Sequence, residues 1–298
     1  MLYSYAKLSN HDFGLFRLLG PGLGNLLFPW ARSIIASEKY DLTQIPTTWP
    51  QIKLGTIFRR ELDKRMYSDL FKSPDESFPL SRKLRLLYFA RKLNEEQLGN
   101  IPHPVNCHGK DTVFLFSGMK NGFSDLAGHN KVVLNTLINI VKDKHLEGYR
   151  RNLSNGICMH IRLGDFVTGG HGTTPISWYV SLAEIIRDLL GQIIPIYVFT
   201  DGRDEEISEV LRLNNVERLS FGSSIADLFA LSNARILLAS SGSTFSGWAS
   251  YLGESLSIWP KDSRKHGLEN TTNKFLEIDK NETISNEFKV RVLETWNY

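Results

Sequence analysis

The chain has 298 residues, 42% of them hydrophobic, which is enough material for one large or two medium domain cores. Its formal charge of +3 and pI near 8.7 suit an anionic ligand but fall short of the strongly basic balance of a nucleic-acid-binding protein, so nucleic acid is set aside as a partner. Two cysteines, Cys107 and Cys158, supply neither a disulfide framework nor a spaced metal pattern; reduced thiols and a cytoplasmic location are expected.

The opening MLYSYAKLSNHDF has neither the pattern of a signal peptide nor the ~20-residue apolar run of a membrane span. Sequons at Asn152, Asn270 and Asn281 carry no weight in a protein that stays inside the cell. In chain order, FGLFRLLG (13–20) predicts a short strand, then come the glycine-rich turn GPGLGN (20–25) and a helix from about Asn25 to Ser37. Between 40 and 112 the pattern weakens: Pro46, Pro50, Pro74, Pro79, Pro102 and Pro104 punctuate short basic helices such as SRKLRLLYFARKL (81–93), a region suited to recognising a variable partner.

The texture changes near residue 150. GICMHI (156–161) predicts a strand, and SWYVSLAEIIRDLLG (177–191) a helix capped by Ser177 and closed by Gly191. A strand at 193–200, a helix near 203–213, a strand at 234–239 and a helix through TFSGWASYLG (244–253) follow. Such alternation implies a parallel sheet covered on both faces, a Rossmann-like unit, and the chain is read as an α/β protein with domains 1–152 and 153–298.

Three segments carry chemistry. In CMHIRLGDF (158–166) side chains alternate, so Cys158, His160 and Arg162 share one face and Ile157, Met159 and Ile161 the other. The ionisable groups therefore gather at the carboxyl end of a strand, where open α/β sheets bind ligands and where a guanidinium matches phosphate oxygens. The plainer alternative is an arginine salt-bridged to Asp165. In GPGLGN, Gly22 and Gly24 would let the backbone approach a diphosphate at a helix N-terminus, although the third glycine of the dinucleotide fingerprint is replaced by Asn25; a plain tight turn is the alternative. If Asn25 caps the helix, Pro29 would bend its first turn. In SSGSTFSGW (240–248), Ser243 or Thr244 could cap the next helix, donate to a phosphate, or both. Asp201 in FTDGRD and Asp227 in SIADLFALS stand at strand-end and helix-start positions.

Taken together and in this order, these segments resemble the fucosyltransferase superfamily that includes the α1,2-, α1,6- and protein O-fucosyltransferases. GPGLGN is similar to its Gly-Gly-x-x-Gly-Asn turn, HIRLGDF to its His-x-Arg-Arg-x-Asp signature, and TPISWY (174–179) to the Pro-Leu-Ser-Tyr-Tyr segment of the α1,2 branch. VFTD (198–201) and DLFALSNARILLASSGSTFSGW (227–248) match later blocks, and the likeness spans about 18–37 and 156–253.

The resemblance implies a GT-B-like fold of two facing Rossmann-like domains, the first on the acceptor side and the second binding the GDP-sugar. It also implies an inverting, metal-independent transfer from GDP-fucose to a glycan, with no cofactor. Carried over, Arg162 grips the β-phosphate, His160 and Asp227 border the guanosine, Ser243 and Thr244, followed by Phe245, meet the diphosphate, and Asn25 reaches the sugar-phosphate. Asp165 and Asp201 match positions that matter for activity, and Asp165 is a nominal general base. Leu163 in place of a second arginine and Gly247 in place of a tryptophan bear on the α1,2 linkage more than on the donor.

Competing readings are a transferase for another GDP-linked 6-deoxyhexose, and an NAD-dependent oxidoreductase using GPGLGN, which lacks an obvious acidic ribose ligand at the end of a second strand although Asp41 is close to the right distance. A glycan-binding module using Trp30, Trp49 and Trp178 is a third. Arg82, Lys83, Arg85, Arg91 and Lys92 along one helix could rest on an anionic membrane, which would place the protein on the inner face of the membrane beside a lipid-linked acceptor.

Overall fold

The structure is a computed structural model that describes residues 1–52, 66–73, 77–100, 110–164, 173–279 and 284–297. Asp165, Cys107 and Asn281 lie outside the described residues. The chain divides into two compact units, Met1–Lys142 and Asp143–Tyr298.

Unit 1 is built on strand β1 (Leu2–Ala6), which no apolar run announces. Its side chains alternate between two layers: Tyr3 and Tyr5 pack with Ile45, Phe78, Leu86 and Val113, while the Ser4 hydroxyl meets Ser37 at 2.6 Å. The segment predicted as a strand, 13–20, instead holds part of a small separate sheet formed by β2 (His11–Asp12), β3 (Arg17–Leu18) and, further on, β5 (Gln51–Ile52). Its apolar side chains are exposed, Leu15 at 50% and Leu19 at 59%, so they never entered the core that the prediction assumed.

Helix α1 runs Leu23–Tyr40 and begins after Gly22, so Asn25 lies inside its first turn instead of capping it. Pro29 sits in the interior, where it lacks the N–H that would donate to the Asn25 carbonyl. Strand β4 (Thr43–Gln44), helix α2 (Leu80–Phe89), β6 (Arg91–Asn94), β7 (Thr112–Phe116) and helix α3 (Asn130–Ile140) complete the unit. Its main sheet has the order β4-β1-β7-β6, all parallel. Arg32 on α1, 6% exposed, pairs with Glu95 at 2.8 Å and donates to the carbonyls of Ser117, Gly118 and Met119, fixing the loop beyond β7.

Unit 2 opens with helix α4 (Glu147–Arg150) and strand β8 (Leu153–Ile161). The helix belongs to this unit because Asn233 donates to the carbonyls of Gly148, Tyr149 and Arg151, and Tyr149 meets the Phe229 ring edge-on. Then follow α5 (Ile176–Leu190), β9 (Ile196–Thr200), α6 (Ser208–Leu211), β10 (Val216–Arg218), α7 (Ser224–Ser232), β11 (Ala234–Leu238) and α8 (Thr244–Gly253). The unit closes with β12 (Leu256–Pro260), β13 (Phe275–Ile278) and α9 (Asn286–Asn297). The cap of α5 is Pro175, not Ser177, while Gly191 closes it at φ 65 as expected. The predicted helix at 203–213 shrinks to one turn.

The sheet order is β10-β9-β8-β11-β12-β13, every pairing parallel, so the strands run outward from β8 in one direction and then from β11 in the other. Ile157, Met159 and Ile161 enter one apolar cluster with Trp178, Leu182 and Ile186 of α5. That burial on one face, worth about 2 kcal/mol per large aliphatic side chain, fixes which way Cys158 and His160 point.

The basic stripe of 81–93 is not one helical face. Arg91 and Lys92 lie on β6, and Lys83 is turned inward at 5% exposure, with its amine donating to Thr48 Oγ1 at 2.9 Å. Burial lowers the Lys83 amine from 10.5 to about 8, with the Asp12 charge working against it. Between those values the unfolded chain binds the extra proton, so this group makes stability rise with pH. Wild-type stability in urea titrations is expected to climb by about 3 kcal/mol more than that of Lys83→Met over this window. Parallel curves would contradict the inward amine.

Candidate active site

The direction of the strand order in unit 2 reverses between β8 and β11. A crevice opens at such a point beyond the carboxyl ends of the strands, and it is the usual ligand position of doubly wound sheets. The residues at and just beyond the ends of these two strands are His160–Gly164 and Ser240–Thr244.

A chain of hydroxyls zips the two strand ends together. The Ser240 hydroxyl donates to the His160 carbonyl at 2.7 Å, accepts from the Arg162 backbone N–H at 2.8 Å and lies 2.7 Å from the Tyr179 hydroxyl. With one donor and two acceptor lone pairs, that hydroxyl is fully used. Ser246 Oγ accepts the Ser240 backbone N–H at 3.2 Å and lies 2.6 Å from His160 Nδ1. Ser243 caps α8 by accepting the Ser246 N–H at 3.3 Å, and Thr174 Oγ1 accepts the Ser241 N–H at 2.9 Å. His266 Nε2 lies 3.1 Å from the Gly242 carbonyl, so the turn between β11 and α8 is held from three sides.

His160 is 6% exposed, its ring 5.1 Å from that of Phe245. Burial, and then the neighbouring Arg162 cation, lowers its pKa from 6.5 to about 3. It is therefore a neutral imidazole that supports the turn. Burial also pushes the Cys158 thiol up, which removes it as a nucleophile, and burial pushes Tyr179 up to about 12. The Arg162 side chain keeps a quarter of its surface exposed and pairs with Asp201 at 2.6 Å. Asp201 follows β9 and also accepts the Leu163 backbone N–H at 2.9 Å.

The predicted residues thus fall into groups. His160, Arg162, Asp201, Ser243, Thr244 and Phe245 collect at the strand ends of unit 2 around β8 and β11. Asp227 lies in the first turn of α7, where its carboxylate accepts the Phe221 N–H at 2.6 Å and braces the loop beyond β10. Gly22, Gly24 and Asn25 form the start of α1 in unit 1. Gly20 beside them adopts φ 130, and a Cβ there would lie 2.8 Å from Nη1 of the fully buried Arg17. Sequence reasoning missed Ser240, Ser246, Tyr179, Thr174 and His266; the hydroxyl density of 240–246 was the available signal for the two serines.

Two competing readings lose their footing. Asp41 is the left-handed cap of α1, at the amino end of β4, whereas a ribose-binding acid stands at the carboxyl end of its strand. Trp30, Trp49 and Trp178 are 1%, 7% and 2% exposed, so they are core residues and offer no sugar-stacking surface. Among the described residues no group of three or more His, Cys, Asp or Glu side chains gathers as a metal site, and no helix is long and apolar enough to cross a membrane.

No protein-family profile and no curated protein sequence matches the chain. Among solved structures, it is similar to the fucosyltransferase NodZ from Bradyrhizobium, with 12% identity over 83% of this chain and 90% of that one and a TM-score of 0.49. It is also similar to POFUT1 in complex with GDP, with 11% identity over 87% and 98% of the two chains and a TM-score of 0.48. A third similar structure is Arabidopsis thaliana FUT1 with GDP, with 13% identity over 86% and 69% and a TM-score of 0.45.

A neutral His160 gives a direct prediction. Its ring C–H resonance should stay fixed as pH falls from 8 to 5, because titration waits until about 3. The unfolded ring binds its proton near 6.5, so this group's contribution to stability is lost as pH drops below 6.5. A resonance that moves with a midpoint near 6.5 would contradict the buried imidazole.

Proposed function

We propose that this chain is an inverting, metal-independent glycosyltransferase that moves L-fucose from GDP-β-L-fucose to a glycan hydroxyl. The observation that carries the reading is the placement of Arg162 and of the Ser243-capped start of α8 at the strand-order reversal of unit 2. A guanidinium and a helix N-terminus are two positive elements suited to one diphosphate. The motif resemblance supplies the nucleotide and the sugar.

In the reaction the acceptor oxygen attacks the anomeric carbon, the bond to the β-phosphate oxygen breaks, and GDP leaves with the electron pair. Arg162 and the Ser243–Thr244 turn meet the charge that develops on the leaving phosphate. No Asp-x-Asp occurs anywhere in the sequence, so the chain lacks the usual carboxylate pair for a nucleotide-sugar cation, and fixed protein charges take that part. The acceptor proton passes to a base, for which Asp165 is the candidate. The roles of Gly22, Gly24 and Asn25 toward the donor, and of Asp227 toward the guanosine, rest on the motif resemblance alone.

The finer parts of the proposal are an α1,2 linkage, a role in surface polysaccharide synthesis, a lipid-linked acceptor and work at the inner face of a membrane. The linkage follows the TPISWY match, and the membrane contact follows exposed Arg85, Arg91 and Lys92 near exposed Tyr88 and Phe89.

Calorimetry should show binding of GDP and GDP-fucose, with UDP and NAD silent. Arg162→Ala should lower turnover by about 100-fold, and EDTA should leave it unchanged. Full activity in Arg162→Ala, or a large loss with EDTA, would overturn the mechanism. Assays with soluble and lipid-linked acceptors, with and without anionic vesicles, test the finer parts.

A further inference from the structure

We infer that Asp201 is a positioning residue for Arg162, and that residue 164 is glycine because the Asp201 carboxylate occupies the space a side chain would need. Ile161 and Thr200 are paired in register across β8 and β9, so Arg162 and Asp201 leave the sheet one residue later at neighbouring points. The Asp201 carboxylate uses both oxygens: Oδ2 accepts from Arg162 Nη1 at 2.6 Å and Oδ1 accepts the Leu163 backbone N–H at 2.9 Å. The Leu163 side chain is anchored in the apolar cluster under β8, so the carboxylate links guanidinium, backbone and core.

The turn carrying Asp201 is itself held. Thr200 Oγ1 accepts the Gly202 N–H at 2.9 Å, Arg218 donates to the Gly202 carbonyl at 2.8 Å, and Glu206 accepts the Arg203 N–H at 2.7 Å. A Cβ on Gly164 would run into Oδ2 of Asp201 and its Cγ. An acidic group placed beside an anion site repels the anion unless its charge is taken up by a cation. Here that cation is Arg162, and the gain is orientation: the long, rotamer-rich guanidinium is fixed before any nucleotide arrives, which lowers the ordering cost of binding.

The assay part rests on the GDP-sugar reading above, whereas the geometric part does not. Four variants separate them: Asp201→Ala, Asp201→Asn, Gly164→Ala and the double variant Asp201→Ala/Gly164→Ala. Asp201→Ala and Gly164→Ala should each weaken GDP binding by about tenfold, and Asp201→Asn should recover part of the loss because its amide oxygen still accepts. The double variant should be no worse than Asp201→Ala, since the new methyl then fills the space the carboxylate left; multiplied losses would overturn the inference.

Guanidinium nitrogen NMR of the nucleotide-free protein gives a readout that needs no ligand. The Arg162 signals should be sharp in the wild type and broadened in both single alanine variants; unchanged signals in both would also overturn it. If the wild type bound no GDP, the donor reading would fail while the NMR comparison still judged the positioning role.

Discussion

The strand-end geometry of unit 2 depends on one hydroxyl. Ser240 receives the Arg162 N–H, meets the Tyr179 hydroxyl and donates to the His160 carbonyl, so one side chain after β11 fixes the backbone on both sides of Ile161. All of these groups are buried or nearly so, and a buried polar group left without its partner costs about 1–3 kcal/mol. The network is therefore held as a unit, because the loss of one member strands the others. The apolar face of β8 sets which side chains point toward it.

From this constraint follows the division of charge at the site. His160 is dry enough to remain neutral, Tyr179 holds its proton, and the Cys158 thiol is inert. The formal charges left at the end of β8, among the described residues, are those of Arg162 and Asp201, which sit in contact. A neutral histidine beside the arginine adds no second cation, so the positive charge at this strand end is the Arg162 guanidinium, the group that meets the leaving phosphate in the proposed reaction. The start of α8, capped by Ser243, carries the partial positive charge of a helix N-terminus, which the proposed reaction uses beside Arg162.

Much of unit 2 was legible in the sequence, because its strands are continuous apolar runs and its helices carry a regular period. The face assignment within 157–162 followed from alternation alone, and Gly191 marked its helix end correctly. The serine network was not legible as such: a serine reads equally as a cap, a turn residue or a tie between distant strands. Asp201 read as a strand-end acid, but its contact with Arg162 requires the parallel register of β8 with β9, which no local pattern specifies.

Unit 1 was read less well, for identifiable reasons. LYSYA has a serine between two tyrosines and looks polar, yet the tyrosines fill the core and the serine bonds to Ser37. FGLFRLLG looks like a core strand, yet only Arg17–Leu18 pairs as a strand while much of the apolar segment stays exposed and Arg17 is buried. Periodicity reports which residues could be covered, and the surrounding fold decides which ones are.

A crystal structure with GDP bound tests the central claim most directly. The account predicts a β-phosphate oxygen about 2.7–2.9 Å from the Arg162 guanidinium, with the diphosphate at the first turn of α8. A nucleotide bound away from the ends of β8 and β11, with Arg162 touching none of its phosphates, would contradict it.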